Sequence, residues 1–250
     1  MATMRKVTDV DRLAARHRPP GQPVMHQNWG KLLFMHWRIN ENLLRPHVPD
    51  SLEIDTYGDS AWIAMTPFTM WDIRAFPPFV PPIPGWSAMH ELNVRTYVHY
   101  NGVPGVWFFS LDANSSAAVL AARTFFRLPY YNAEIKMEGK KKIKYRSRRE
   151  DDPAAAFRAE WSVGEPLPNS QPGSREFFFT ERYILYTQWQ GELYRARIYH
   201  EPWQLYKAEL TKFGSSMLEA LQIPQPKTQP ILHHAEEISV DIWMLESVED

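Results

Sequence analysis

Residues 91–112, ELNVRTYVHYNGVPGVWFFSLD, decide the fold. Glu91–Tyr100 alternates polar and apolar side chains, and the period of two is that of a β-strand with distinct faces. Asn101-Gly102 is the dipeptide favoured in a two-residue hairpin turn, because both of its residues tolerate positive φ. Val106–Asp112 then resumes as the return strand. Within the first strand Glu91, Asn93, Arg95 and Tyr97 point one way, and Leu92, Val94, Thr96 and Val98 the other. If the apolar row packs into a core layer, the polar row is either a solvated outer face or the lining of an interior.

Outward from this hairpin, Asn114 or Ser115 caps SSAAVLAARTFF, the best helix in the chain, and Pro129 stops it. Strands follow near Ala133–Met137, Lys141–Ser147 and Phe157–Val163. A short helix is expected over Arg175–Arg182. A second hairpin joins Tyr183–Trp189 to Leu193–His200 around Gln190-Gly191. Strand Lys207–Phe213, helix Ser216–Gln222 and strand Ile238–Leu245 complete this side. On the N-terminal side, Thr8 caps a helix over Asp9–His17 that Pro19-Pro20-Gly21 ends. Trp29–Ile39 is β-rich, Asn40 caps Glu41–Arg45, and Leu52–Asp55 and Ala61–Pro67 are strands. About a dozen strands against four or so short helices predict a mainly β, α+β fold, most simply a closed antiparallel β-barrel with flanking helices.

Composition excludes several functions. The 250 residues contain no Cys, which removes disulfides, thiolate metal sites and a cysteine nucleophile. Lys+Arg 28 against Asp+Glu 29 gives a net charge of −1, so no overall field draws nucleic acid or anionic membrane. The N-terminal stretch MATMRKVTDVDRLAARHRPPGQP lacks an apolar core and predicts no signal peptide, and no apolar run is long enough to span a bilayer. A cytoplasmic location is expected. Dinucleotide, Walker, zincin and nucleophile-elbow motifs are missing, and the nine His show no convincing zinc spacing. No metal and no cofactor is expected.

Four features carry candidate chemistry. The polar row places the Glu91 carboxylate near the Arg95 guanidinium; enclosed, it would be an acid or base tuned by desolvation. Lys140–Arg149 holds seven cations, and without them 21 basic residues face 29 acidic ones elsewhere. That hairpin is a solvated surface or a contact surface. FPPFVPPIPGW, residues 76–86, is a stiff loop with five prolines, a packed strap or a lid over a pocket. His200 of HEPW (200–203) reads as a packing residue.

The segments WGKLLFMHW (29–37), HELNVRTYV (90–98), GVWFFSLDA (105–113), AARTFFRLPYYNA (121–133), KYRSRR (144–149), FFFTERYILYT (177–187) and HEPW resemble the YqjF-like family of bacterial proteins. That family is similar to the acetoacetate decarboxylase-like fold, a closed antiparallel barrel or cone with a central small-molecule cavity. The short N-terminal helix with its proline stop reads as an arm over residues 1–25; the resemblance implies one such domain over 26–250, with Glu91 and Arg95 inside it. Acetoacetate decarboxylases use a pair of lysines after a Tyr-Pro, one of which forms a Schiff base. The similar stretch here is Leu128-Pro129-Tyr130-Tyr131, with tyrosines where the lysines would fall, so imine chemistry has no carrier unless Lys136 faces inward.

Three readings stay open. In the first, an enzyme acts on a small carbonyl, carboxylate or phenolic compound in the cavity. Glu91 is its acid or base, Tyr130 a hydrogen-bond donor, and Asn93, Arg95, Arg123 and Tyr131 hold the substrate. In the second, the cavity binds such a compound without catalysis. In the third, the polar row is structural and the basic hairpin meets a protein partner.

Overall fold

In a computed structural model, residues 6–75 and 88–248 are described; the proline-rich stretch 76–86 lies outside them. Helix α1 (Asp9–Ala15) starts at a capping box in which Thr8 and Asp11 bond reciprocally. Strand β1 (Met25–Ile39) leads into α2 (Glu41–Leu44), capped by Asn40, and a 3-10 turn at Arg45–His47. Strands β2 (Glu53–Ile54), β3 (Ala61–Ala75), β4 (Ala88–Tyr100) and β5 (Val103–Ala113) follow. Then come α3 (Ser116–Phe125), with Ser115 accepting from the Ala118 N–H, and β6 (Tyr130–Glu138), β7 (Lys142–Arg149) and β8 (Ala156–Pro166). Helix α4 (Arg175–Thr180), strands β9 (Ile184–Trp189), β10 (Glu192–Tyr199) and β11 (Leu205–Ser215), helix α5 (Met217–Ala220), and strands β12 (Ile231–Ile242) and β13 (Glu246–Ser247) complete the chain. Among the described residues no helix is long and apolar enough to cross a membrane.

Both Asn-Gly-type turns form as expected. Asn101 and Gly102 have φ of 50° and 83°, and Gln190 and Gly191 53° and 87°, so each hairpin closes with two left-handed residues. Strands β1, β3, β6 and β12 run longer than expected from sequence. The start of β12 lies in a segment where His233-His234 hides the alternation.

Among the described residues all strands belong to one 13-stranded sheet. Hydrogen-bonded pairs lead from β4 through β5, β6, β7, β8, β11, β12, β1 and β3 back to β4. A second route leaves β5 through β9 and β10 and rejoins at β12. The expectation of a wholly antiparallel sheet is corrected at β5, whose pairings with β6 and β9 are parallel. For β6 the cause is topological: β5 is followed by α3, and a helical crossover returns the next strand in the same direction.

The central strands bury both faces. Leu33, Met35, Ile63, Met65, Leu92, Val94 and Val98 join one core cluster with Ile143, Tyr145, Phe157 and Trp161. The alternate residues Leu32, Phe34, Phe68 and Met70 join a second cluster with Val240, Trp203 and α3. At β5 the register shifts between Val94 and Arg95, leaving Phe109 as an extra residue in the bulge. Val106 and Phe108 before it, and Leu111 after it, therefore line the same cavity.

Candidate active site

The cavity lies on the β4 face that carries Glu91, Asn93 and Arg95. It has a volume of about 430 Å³, and apolar side chains such as Phe34, Phe68, Leu111, Phe126 and Trp203 form most of its wall. Strand register aligns its polar groups. Thr66 of β3 stands opposite Asn93, and Phe68 opposite Glu91. On the other side Glu91 pairs with Ala113 of β5, whose Leu111 pairs with Tyr130 at the start of β6.

Tyr130 donates its Oη–H to Glu91 Oε2 at 2.6 Å, and Asn93 Nδ2 approaches Oε1 at 3.5 Å. Glu91 is only 2% exposed. Burial pushes its carboxyl up to about 7, against the Tyr130 and Asn93 hydrogen bonds and the Arg95 charge, which favour ionisation. The Tyr130 hydroxyl is pushed well above its ordinary range by burial and by the carboxylate beside it. Asn93 Oδ1 and Thr66 Oγ1 are buried without a hydrogen-bond partner among the described residues. The half-buried Arg95 has its guanidinium 5.7 Å from the Phe34 ring and an unpartnered Nε. It makes no ion pair among the described residues. His200 also lines the cavity, against Trp203, and is neutral, depressed to about 4 chiefly by burial, with Nδ1 2.7 Å from the Glu201 carbonyl.

Two candidates from sequence lie elsewhere. Tyr131, the next residue of a strand, takes the opposite face from Tyr130 and packs under the Arg149 guanidinium at 3.7 Å. Arg123 is exposed on α3; its Nε donates to the Tyr130 carbonyl at 2.6 Å, so it touches the backbone that carries the phenol. Neither lines the cavity. Lys136 is exposed on β6, opposite Arg146, and no lysine lines the cavity among the described residues.

The basic hairpin is divided by strand alternation. Lys142, Lys144, Arg146 and Arg148 are exposed, whereas Arg149 is buried and bonds both oxygens of Asp112 at 3.2 and 2.8 Å. Sequence reasoning missed Arg182, which lines the cavity behind the buried run Phe177–Phe179. Its only sequence signal is a cation set in an apolar run.

The family model described as an uncharacterized conserved protein, DUF2071, matches residues 26–239. The chain is 43% identical over 228 residues to the uncharacterized protein YqjF of Bacillus subtilis (strain 168), covering 91% of this chain and 93% of that protein. Among solved structures it is similar to the enduracididine biosynthesis enzyme MppR complexed with pyruvate, at TM-score 0.65 and 11% identity over 91% of each chain. It is also similar to acetoacetate decarboxylase from Legionella pneumophila, at TM-score 0.61 and 13% identity over 99% of this chain and 98% of that one. These structural likenesses show a shared acetoacetate decarboxylase-like fold. With the family model covering most of the sequence and the Bacillus protein matching nearly end to end, the chain belongs to the DUF2071 family, which includes YqjF.

Proposed function

We propose that the protein is an acid–base enzyme that takes a small enolisable carbonyl compound into the closed sheet and moves a proton on it through Glu91, without a Schiff base. The observation that carries this reading is the buried Glu91 carboxyl, bonded at 2.6 Å by Tyr130 inside an apolar cavity. A carboxyl that ionises near 7 is matched to proton transfer at neutral pH, where both of its forms are populated. As carboxylate, Glu91 takes a proton from the carbon next to the carbonyl. The electron pair moves onto the carbonyl oxygen, and Tyr130 or Arg95 hydrogen-bonds that developing enolate. Return of the proton to the same carbon gives exchange, and return to another gives isomerisation.

Pyruvate bound to MppR supports a short oxo acid as the substrate class, as an analogy of fold. The absence of lysine from the described cavity wall argues against decarboxylation through an imine. A second reading, binding without turnover, is favoured by one observation: apart from the polar strip on β4 and its neighbours, the wall is mostly apolar and aromatic.

The test is deuterium uptake at carbon 3 of pyruvate, 4-methyl-2-oxopentanoate and phenylpyruvate in heavy water, followed by proton NMR. Wild type accelerates exchange in at least one of these, and Glu91→Gln lowers that rate by roughly 100-fold or more. Exchange that survives the substitution removes Glu91 from the chemistry. Binding with no exchange in wild type leaves the cavity a receptor. Borohydride added with the same oxo acids leaves the protein mass unchanged, and a lysine adduct would refute the exclusion of an imine.

A further inference from the structure

Arg182 has no part in that proton transfer, yet it stands in the cavity wall at 5% exposure. Its Nε donates to the Phe178 carbonyl and its Nη1 to Asp55 Oδ2, each at 2.7 Å, while Nη2 has no partner among the described residues. Asp55 is shared. Arg12 of α1, also buried, donates to both oxygens of the same carboxylate at 2.6 and 2.8 Å. Among the described residues no other acid is in ion-pair contact with either guanidinium. Glu181, next in the chain, accepts instead from Tyr183. Glu53 is a third exposed and lies 3.8 Å from His99.

Arg95 is the second cation of this end of the cavity; Arg182 shares Asp55 with Arg12, and Arg95 has no ion-paired carboxylate among the described residues. The Tyr97 phenol connects the two arginines. Arg182 lies 4.7 Å from its ring, and the fields of both guanidiniums oppose the burial that raises its pKa. Buried charge is stable only when paired, and here two guanidiniums beside apolar walls hold less than their complement of negative charge. Burial depresses Arg182, partly offset by Asp55, to about 10, so it stays protonated at neutral pH.

We infer that this end of the cavity is an anion seat, and that the natural occupant carries a carboxylate lying between Arg95 and Arg182 with its apolar body along Phe34 and Trp203. Guanidinium–carboxylate contacts are strong and directional, and they fix the orientation of a small acid within an apolar pocket. Arg12 is then a positioning residue: it holds Asp55, which holds Arg182. The inference rests on the cavity being a small-molecule site and adds which side chains hold the carboxylate of its occupant.

The test compares 3-phenylpropanoate and 4-methyl-2-oxopentanoate with 3-phenylpropanamide and 4-methyl-2-oxopentanamide by calorimetric titration at low salt. Wild type prefers each acid to its amide by at least about tenfold, or 1.4 kcal/mol. Arg95→Met removes the charge, and with it the side-chain hydrogen bond to Tyr97, and lowers that preference to about threefold or less while leaving amide affinity unchanged. Arg182→Lys retains a charge beside Asp55 and lowers the preference in the same way. Acids and amides of equal affinity, or no binding of either acid at 10 mM, would overturn the seat, as would a preference that persists in both variants. Glu91→Gln separates this claim from the catalytic one: it abolishes exchange and leaves the preference for acids in place. An anion preference without exchange keeps the seat and removes the acid–base reading.

Discussion

Glu91 makes the fold itself sensitive to pH. Its folded value of about 7 lies above the ordinary value of 4.5, so the native state holds a proton that the unfolded chain has released. The stabilisation is fully present below pH 4.5 and is lost as pH rises through 7. At about 1.4 kcal/mol per pH unit, that interval is worth about 3 kcal/mol for this one carboxyl. Glu91→Gln removes the titration, and the amide oxygen can still accept from Tyr130, which limits the loss at low pH to about 1 kcal/mol. The groups around Glu91 are Tyr130 from β6, Asn93 and Arg95 from its own strand and Asp112 from β5. Tyr145 of β7 also feels its charge. The buried histidines His36, His200, His233 and His234 are depressed mainly by burial and act with the opposite sign, losing stability in acid. They are present in both proteins and cancel in the difference. Urea unfolding of wild type and variant at half-unit steps from pH 4 to 8 therefore gives a difference curve that falls by about 3 kcal/mol. Near pH 8 the variant is the more stable protein. A difference curve flat between pH 5 and 8 refutes the argument: Glu91 would then be ionised and hydrated in the fold, and its match to neutral proton transfer would disappear.

Two further perturbations test the supports of the cavity. A Cβ at Gly105 would stand 2.7 Å from the Ile184 carbonyl oxygen and 2.7 Å from the Tyr186 ring, at the short parallel seam between β5 and β9. Gly105→Ala is expected to cost roughly 1–3 kcal/mol in urea unfolding by overpacking, and an unchanged midpoint would mean that the seam yields freely. Asp55→Asn leaves Arg12 and Arg182 without a counter-charge, for a loss of roughly 3–5 kcal/mol and early tryptic cleavage after Arg16 as α1 detaches; stability within 1 kcal/mol of wild type would contradict the shared ion pair.

The strand-level plan was legible because its signals are local. The alternation of Glu91–Val98, the turn at Asn101-Gly102 and the cap at Ser115 are each decided within a few residues, and each is realised. What was not legible depends on distant parts of the chain. Placing the polar row in an interior needed the neighbouring strands, since the same alternation suits a solvated face. Tyr130 and Tyr131 read alike as the end of a loop before a strand at Ala133; extending β6 back to Tyr130 gives them opposite faces, and only one phenol reaches Glu91. Arg182 depends on Asp55, 127 residues earlier, so no local pattern could show that a cation in a phenylalanine run is paired and buried. Arg149 was counted with the surface charges for the same reason, its partner Asp112 lying on another strand.

Likeness of fold to acetoacetate decarboxylase carries over the architecture and leaves the chemistry to the side chains. A Schiff-base mechanism needs an amine with a depressed pKa inside the cavity, and here the described wall offers a carboxyl, a phenol, two guanidiniums and the His200 imidazole, which burial keeps neutral. Those groups suit a different division of labour. Guanidiniums do not shuttle protons at neutral pH, so Arg95 and Arg182 can only attract and orient. A phenol held well above its ordinary pKa donates a hydrogen bond and keeps its proton. Glu91 alone changes protonation state near neutrality. An anion drawn to the arginines would itself favour the protonated form of Glu91 by repulsion. The carboxyl that begins as a base in the free cavity would then sit closer to its acid form once the ligand is bound. The pH dependence of kcat for an exchangeable oxo acid should therefore lie above that of kcat/KM, and coincident profiles would place the carboxylate of the substrate too far from Glu91 for the two sites to act on one molecule.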